Sequence, residues 1–144
     1  MTGPGDQARE GPPAAIKRPA LAPRNQILVV EDQLIARQTL RRTLEYYQHG
    51  VLEAADGRQA LQVFHRYRRR IGMVLLDLTL PDVPAVKVLA ALRTLDPKVR
   101  VAVCTEESVS EAKGSEGLEG VVGVLRKPIR ADRLLAVVRR GLYG

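Results

Sequence analysis

Short apolar runs punctuate the chain: ILVV (27–30), VLEA (51–54), MVLL (73–76), VRVAVC (99–104) and VVGVL (121–125). Between them lie longer stretches whose apolar residues recur at helical intervals. QLIARQTLRRTLEYY (33–47) repeats Leu40 and Leu44, and DGRQALQVFHRYRRR (56–70) sets Ala60, Leu61 and Phe64 on one face behind Asp56 as N-cap. VPAVKVLAALRTL (83–95) also reads as helical, and ADRLLAVVRR (131–140) places Ala131, Leu134, Leu135 and Val138 at i, i+3, i+4 and i+7. Unbroken Val/Leu/Ile runs suit strands covered on both faces. Strand–helix alternation implies right-handed crossovers and a parallel sheet, so the pattern predicts a small doubly wound α/β domain with a five-stranded parallel sheet. The weak segment is EESVSEAKGSEGLE (106–119), with two glycines and few apolar residues. Any helix there should be short or loosely held.

The pattern starts only at Gln26. Residues 1–24 are rich in Pro, Gly and Ala without an apolar period and read as a disordered tail or linker, leaving 25–144 as the folded domain. Aromatic residues are only 3% of the chain and Trp is absent, so aliphatic side chains must fill the core. A single cysteine, Cys104, excludes an internal disulfide framework and a Cys-based zinc site, and within an apolar run it reads as a small core residue. No run approaches the ~20 apolar residues that span a bilayer, and no signal pattern opens the chain, which points to a soluble, cytoplasmic protein without a membrane partner. His49 and His65 have no evident partner and read as surface residues.

Ligands of open parallel sheets bind beyond the carboxyl ends of the strands. The residues that follow each run therefore matter most. Glu31 and Asp32 follow the first, Ala55 and Asp56 the second, Asp77 the third, Thr105 the fourth and Lys127 the fifth. Carboxylates side by side repel, and something must offset that. Two or three of them around an open position form an all-oxygen site for a hard cation, and Mg2+ fits best. Mg2+ favours phosphate oxygens, so a phosphoryl ligand is implied. A carboxylate can accept the phosphoryl group covalently, with Lys127 neutralising its charge and Thr105 in hydrogen-bonding reach.

The set Glu31–Asp32, Asp77, Thr105 and Lys127–Pro128, with EAADGRQAL as second strand and helix, resembles the receiver domain of two-component response regulators over residues 26–142. The resemblance implies the flavodoxin-like (βα)5 receiver fold and a signalling module rather than a turnover enzyme. It implies that Asp77 accepts a phosphoryl group from a histidine kinase or phosphotransfer protein. Glu31, Asp32, Asp77 and the backbone carbonyl of Thr79 would hold Mg2+. Thr105 and Lys127 would bind the phosphoryl group and pass the change to a protein-binding face formed by the fourth helix and fifth strand. Three positions depart from the family pattern: Ala85 stands after Pro84 where Gly is usual, Glu106 follows Thr105 where a small residue is usual, and Val124 replaces an aromatic three residues before the lysine. Phosphoacceptor chemistry keeps its residues, while the aromatic readout lacks its usual side chain. The alternatives are a degenerate receiver that docks without being phosphorylated, and an aspartyl-phosphate phosphatase. The second lacks the acid such enzymes carry two residues after the nucleophile, where Thr79 stands.

Net charge is +7, of which residues 1–24 hold +2 from four basic and two acidic residues. The folded part is thus basic in its own right and suits an acidic partner. Arg37, Arg41 and Arg42 on the first helix and Arg130, Arg133, Arg139 and Arg140 on the last form one candidate face for it. Few aromatics are available for base stacking, which excludes specific nucleic-acid recognition but leaves electrostatic binding open. No glycine-rich loop follows the first strand, so a nucleotide-binding fold is excluded as well.

Overall fold

The computed structural model describes residues 24–144. The expected tail lies outside them, apart from Arg24. Strands β1 (Gln26–Val30), β2 (Val51–Ala54), β3 (Ile71–Asp77), β4 (Val101–Thr105) and β5 (Gly123–Arg126) alternate with helices α1 (Leu34–Tyr46), α2 (Gly57–Tyr67), α3 (Ala85–Leu95), α4 (Val109–Lys113) and α5 (Ala131–Tyr143). All pairings are parallel, in the order β2-β1-β3-β4-β5. The order reverses at β1, so β1 and β3 are central and their carboxyl ends form the crevice where such folds bind ligands.

The unbroken apolar runs have a direct cause. Alternate residues of each central strand feed two separate cores. Leu28, Val30, Val74, Leu76, Val101 and Val103 pack with Phe64 of α2 and Val88, Leu89 and Leu92 of α3. Ile27, Val29, Met73, Leu75, Ala102 and Cys104 pack on the other face with Leu40 and Leu44 of α1 and Leu134, Val137 and Val138 of α5. Phe64, the only phenylalanine, is 1% exposed.

Several boundaries moved for identifiable reasons. β3 is seven residues rather than four, because Asp77 stays in register with Cys104 of β4. α2 stops at Tyr67, and Arg68–Arg70 form the turn into β3. Pro84 occupies the N-cap of α3, so that helix begins at Ala85. The weak segment forms only the five-residue α4, held by a capping box in which Ser108 and Glu111 satisfy each other's backbone amides. β5 starts two residues later than its apolar run, at Gly123. Among the described residues no helix is long and apolar enough to cross a membrane.

Candidate functional site

Four of the five strands each deliver one polar side chain to the same rim. Glu31 follows β1, Asp77 and Thr105 end β3 and β4, and Lys127 follows β5. Backbone hydrogen bonds beyond the strands fix these positions: Glu31 N donates to Ala54 O (3.0 Å), Leu78 N to Cys104 O (2.9 Å) and Lys127 N to Thr105 O (2.7 Å). Lys127–Pro128 is a cis peptide.

Glu31, Asp77 and Thr105 are the buried polar residues among those described, at 1%, 3% and 3% exposure. Burial of charge demands partners. The Lys127 ammonium supplies them, donating to Glu31 Oε1 at 2.8 Å and to Asp77 Oδ2 at 3.0 Å. The second oxygens accept backbone donors, Glu31 Oε2 from Gln33 N (3.0 Å) and Asp77 Oδ1 from Thr79 N (2.9 Å). Burial alone would lower the lysine's pKa, but the bonds to Glu31 and Asp77 carry it above its ordinary value, so the ammonium stays charged at neutral pH.

Asp32 differs. It is half-buried and receives no hydrogen bond from the described residues. Its carboxylate, with those of Glu31 and Asp77, can place three oxygens within 4.8 Å of one another. Three carboxylates against one ammonium leave a formal charge of −2. Oxygen donors only, clustered and short of two positive charges, fit a hard divalent cation of the Mg2+ type. When bound, Mg2+ supplies charge neutralisation for phosphoryl oxygens.

The remaining expected residues are placed as follows. Thr105 Oγ1 accepts Glu107 N at 3.0 Å, which orients its hydroxyl, while Glu106 is exposed to solvent. Thr79 is exposed, and its amide donates to Asp77 Oδ1. Val124 is half-buried against the α2–α3 core. Cys104 is buried beside this cluster, and burial first, then the Asp77 charge, pushes its thiol up to about 12.

Two contributors were not legible as such. Arg37 reads in sequence as part of a basic face. It instead donates to the Glu31 carbonyl at 2.8 Å and to Glu53 at 2.9 Å, clamping the β1–α1 loop to β2. Arg41 also engages Glu53, along with Glu45, so only Arg42 of the three α1 arginines lacks a carboxylate partner among the described residues. Asp82, in the β3–α3 loop, accepts the amides of Gly57 (2.8 Å) and Arg58 (3.0 Å) and ties that loop to the start of α2. No sequence signal marks Asp82, because its partners lie a full element away.

A family model of the response regulator receiver domain matches residues 27–139. Protein CcdB of Bacillus subtilis is 32% identical over 117 residues, which cover 80% of this chain and 95% of that protein. Response regulator MprA of Mycolicibacterium vanbaalenii is 35% identical over 116 residues, 79% of this chain, but these span only 48% of MprA. The solved structure of chemotaxis protein CheY4 of Vibrio cholerae superposes with a TM-score of 0.74 at 28% identity, covering 82% of this chain and 98% of that one. The match runs from β1 to near the end of α5, across every element that feeds the acidic rim, and on that ground the chain belongs to the response regulator receiver domain family.

Proposed function

We propose that this protein is a phosphoacceptor switch, with Asp77 as the residue that takes a phosphoryl group from a histidine kinase or phosphotransfer protein. One observation carries the reading: Asp77 is a buried carboxylate held by a charged lysine, at a rim that lacks two positive charges for neutrality. Receiver domains bind Mg2+ at an acidic pocket of this kind, and here Glu31, Asp32 and Asp77 would hold it, with the Thr79 carbonyl as a further donor.

In the transfer, an Asp77 carboxylate oxygen forms a bond to phosphorus while the phosphorus–nitrogen bond of the donor imidazole breaks. The departing nitrogen keeps the electron pair and takes up a proton. The Thr79 amide and the Lys127 ammonium keep the carboxylate aimed before the reaction. As an acyl phosphate, Asp77 loses its carboxylate charge, so Lys127 re-pairs with the arriving phosphoryl oxygens, and Thr105 donates its hydroxyl to them. Leu34 and Ile35, 53% and 73% exposed on the first turn of α1, offer the donor protein an apolar contact beside Asp32.

Lys127 also lines an open groove of about 910 Å3 between α4, β5 and α5, together with Val109, Val124, Arg126 and Arg133. A change in Lys127's partners is thereby felt at a face able to dock a target.

The test is incubation with a small acyl phosphate and Mg2+, read by intact mass. Wild type gains one phosphoryl group, Asp77→Asn gains none, and omission of Mg2+ abolishes the gain. No gain in wild type would make the chain a docking receiver without phosphorylation. Steady release of phosphate from a phosphomonoester would make it a phosphatase.

A further inference from the structure

The phosphoryl chemistry leaves the opposite end of the strands without a role. There α2 ends at Tyr67, and the chain turns through Arg68, Arg69 and Arg70 into β3. The Arg70 carbonyl accepts Gln26 N at 2.9 Å, which places the turn at the start of β1, away from the acidic rim. Arg66, Arg68, Arg69 and Arg70 are all exposed. With His65 and Tyr67 they line an open concavity of about 420 Å3. Among the described residues none of the four forms an ion pair. Asp96 follows the Leu95 carbonyl that Arg68 reaches at 3.4 Å, but it is engaged by Arg24 at 3.2 Å. Arg66 and Arg70 lie 5.4 and 5.9 Å from the centre of the Tyr67 ring, which organises their guanidiniums beside it.

A helix C-terminus favours a cation in its last turn. Four arginines concentrate far more positive charge than that requires, and they repel one another in the absence of an anion. We propose that this cluster docks the phosphate backbone of duplex nucleic acid without base-sequence preference. Three features select that occupant. Guanidinium forks match phosphate oxygens bidentately. A protein interface needs an apolar centre and a membrane site needs insertable side chains, whereas the large exposed hydrophobics (Leu34, Ile35, Tyr46, Tyr47, Val86 and Tyr143) all lie outside this segment. Nucleic-acid interfaces are by contrast polar and strongly positive. The Tyr67 ring already has guanidiniums against it, so base stacking adds little, and backbone contacts alone carry no sequence information. The inference stands independently of Asp77 chemistry, since the two sites lie at opposite ends of the strands.

The experiment is fluorescence anisotropy of the full chain with a labelled duplex of about 20 base pairs in mixed sequence. With four phosphate contacts the affinity should fall roughly 150-fold between about 50 and 200 mM salt. The variant Arg66→Gln/Arg68→Gln/Arg69→Gln/Arg70→Gln should lose that salt dependence and more than tenfold in affinity at low salt. A control with the same change in net charge, Arg126→Gln/Arg130→Gln/Arg133→Gln/Arg139→Gln, should stay within about threefold of wild type. Equal losses in both variants would show a response to net charge alone and overturn the proposal. So would absence of duplex binding at low salt, displacement of the duplex by polyglutamate at matched charge, or tighter capture by phosphatidylserine vesicles. If the fourfold variant does not fold, Arg66→Gln/Arg69→Gln against Arg126→Gln/Arg133→Gln reads the same contrast.

Discussion

Replacing Lys127 by Met keeps the apolar stem and removes the ammonium. Glu31 and Asp77, 1% and 3% exposed, then lose their shared cation. Breaking a buried pair in this way costs about 3–5 kcal/mol. The Lys127 side chain is itself 21% exposed and Asp32 opens the rim to water, so the lower end, about 3 kcal/mol, is expected. With a urea m-value of about 2 kcal/mol/M, the unfolding midpoint should fall by about 1.5 M. The assay belongs near pH 7. A lysine raised above its ordinary 10.5 contributes fully below that value and loses its contribution only as pH rises through the higher folded value. Two charges within 4.8 Å of each other, as in the acidic cluster, repel by at least about 3.5 kcal/mol at an effective dielectric of about 20. Glu31→Gln added to Lys127→Met should therefore recover part of the loss. Mg2+ at about 100 times its dissociation constant should restore about 2.7 kcal/mol to the single variant. A loss under about 1 kcal/mol, with no effect of Mg2+ on the variant, would refute the view that these charges are coupled at one site.

Further outcomes follow from the same geometry. The hydrogen bond from Arg41, against the opposing effect of burial and with help from Arg37, holds Glu53 below its ordinary 4.5. Its stabilisation is present above that value and fades as pH falls through the lower folded value. Glu53→Gln should cost about 1 kcal/mol near neutrality and nothing in strong acid, by urea midpoints across pH. Gly72→Ala would overlap the Arg24 carbonyl oxygen and come within 2.5 Å of Leu142 Cδ2, so thermal unfolding should show about 1–3 kcal/mol of destabilisation. Gly114→Ala meets nothing closer than 3.5 Å at negative φ and should stabilise by about 0.5 kcal/mol. Cys104, buried and with its thiol pushed up to about 12, should react with a thiol reagent at pH 8 only as fast as the protein opens.

The acidic rim was legible because strand ends are local events. An apolar run that stops on Glu31, Asp77 or Thr105 announces both the strand and the polar residue at its tip, and the parallel topology does the gathering. Thr79 and Glu106 show the limit of that reading. That the Thr79 amide holds Asp77, and that Glu106 turns toward solvent, depend on loop backbone that no periodicity encodes. Arg37, Arg41 and Glu53 show it more sharply. As a sequence they are two cations on a helix and an acid in a strand. Folded, they form a clamp that consumes most of the positive charge assigned to α1.

The chain by itself determined the layer architecture and the chemistry at the strand ends, since hydrophobic period and residue type are properties of short segments. Tertiary structure alone decided that one ammonium serves two buried carboxylates, and that Asp32 is left without a protein donor among the described residues. It also decided that the arginine run 66–70 sits at the end of the strands opposite the acids. Charges act through space, and the distances that set their strength exist only once the chain has folded.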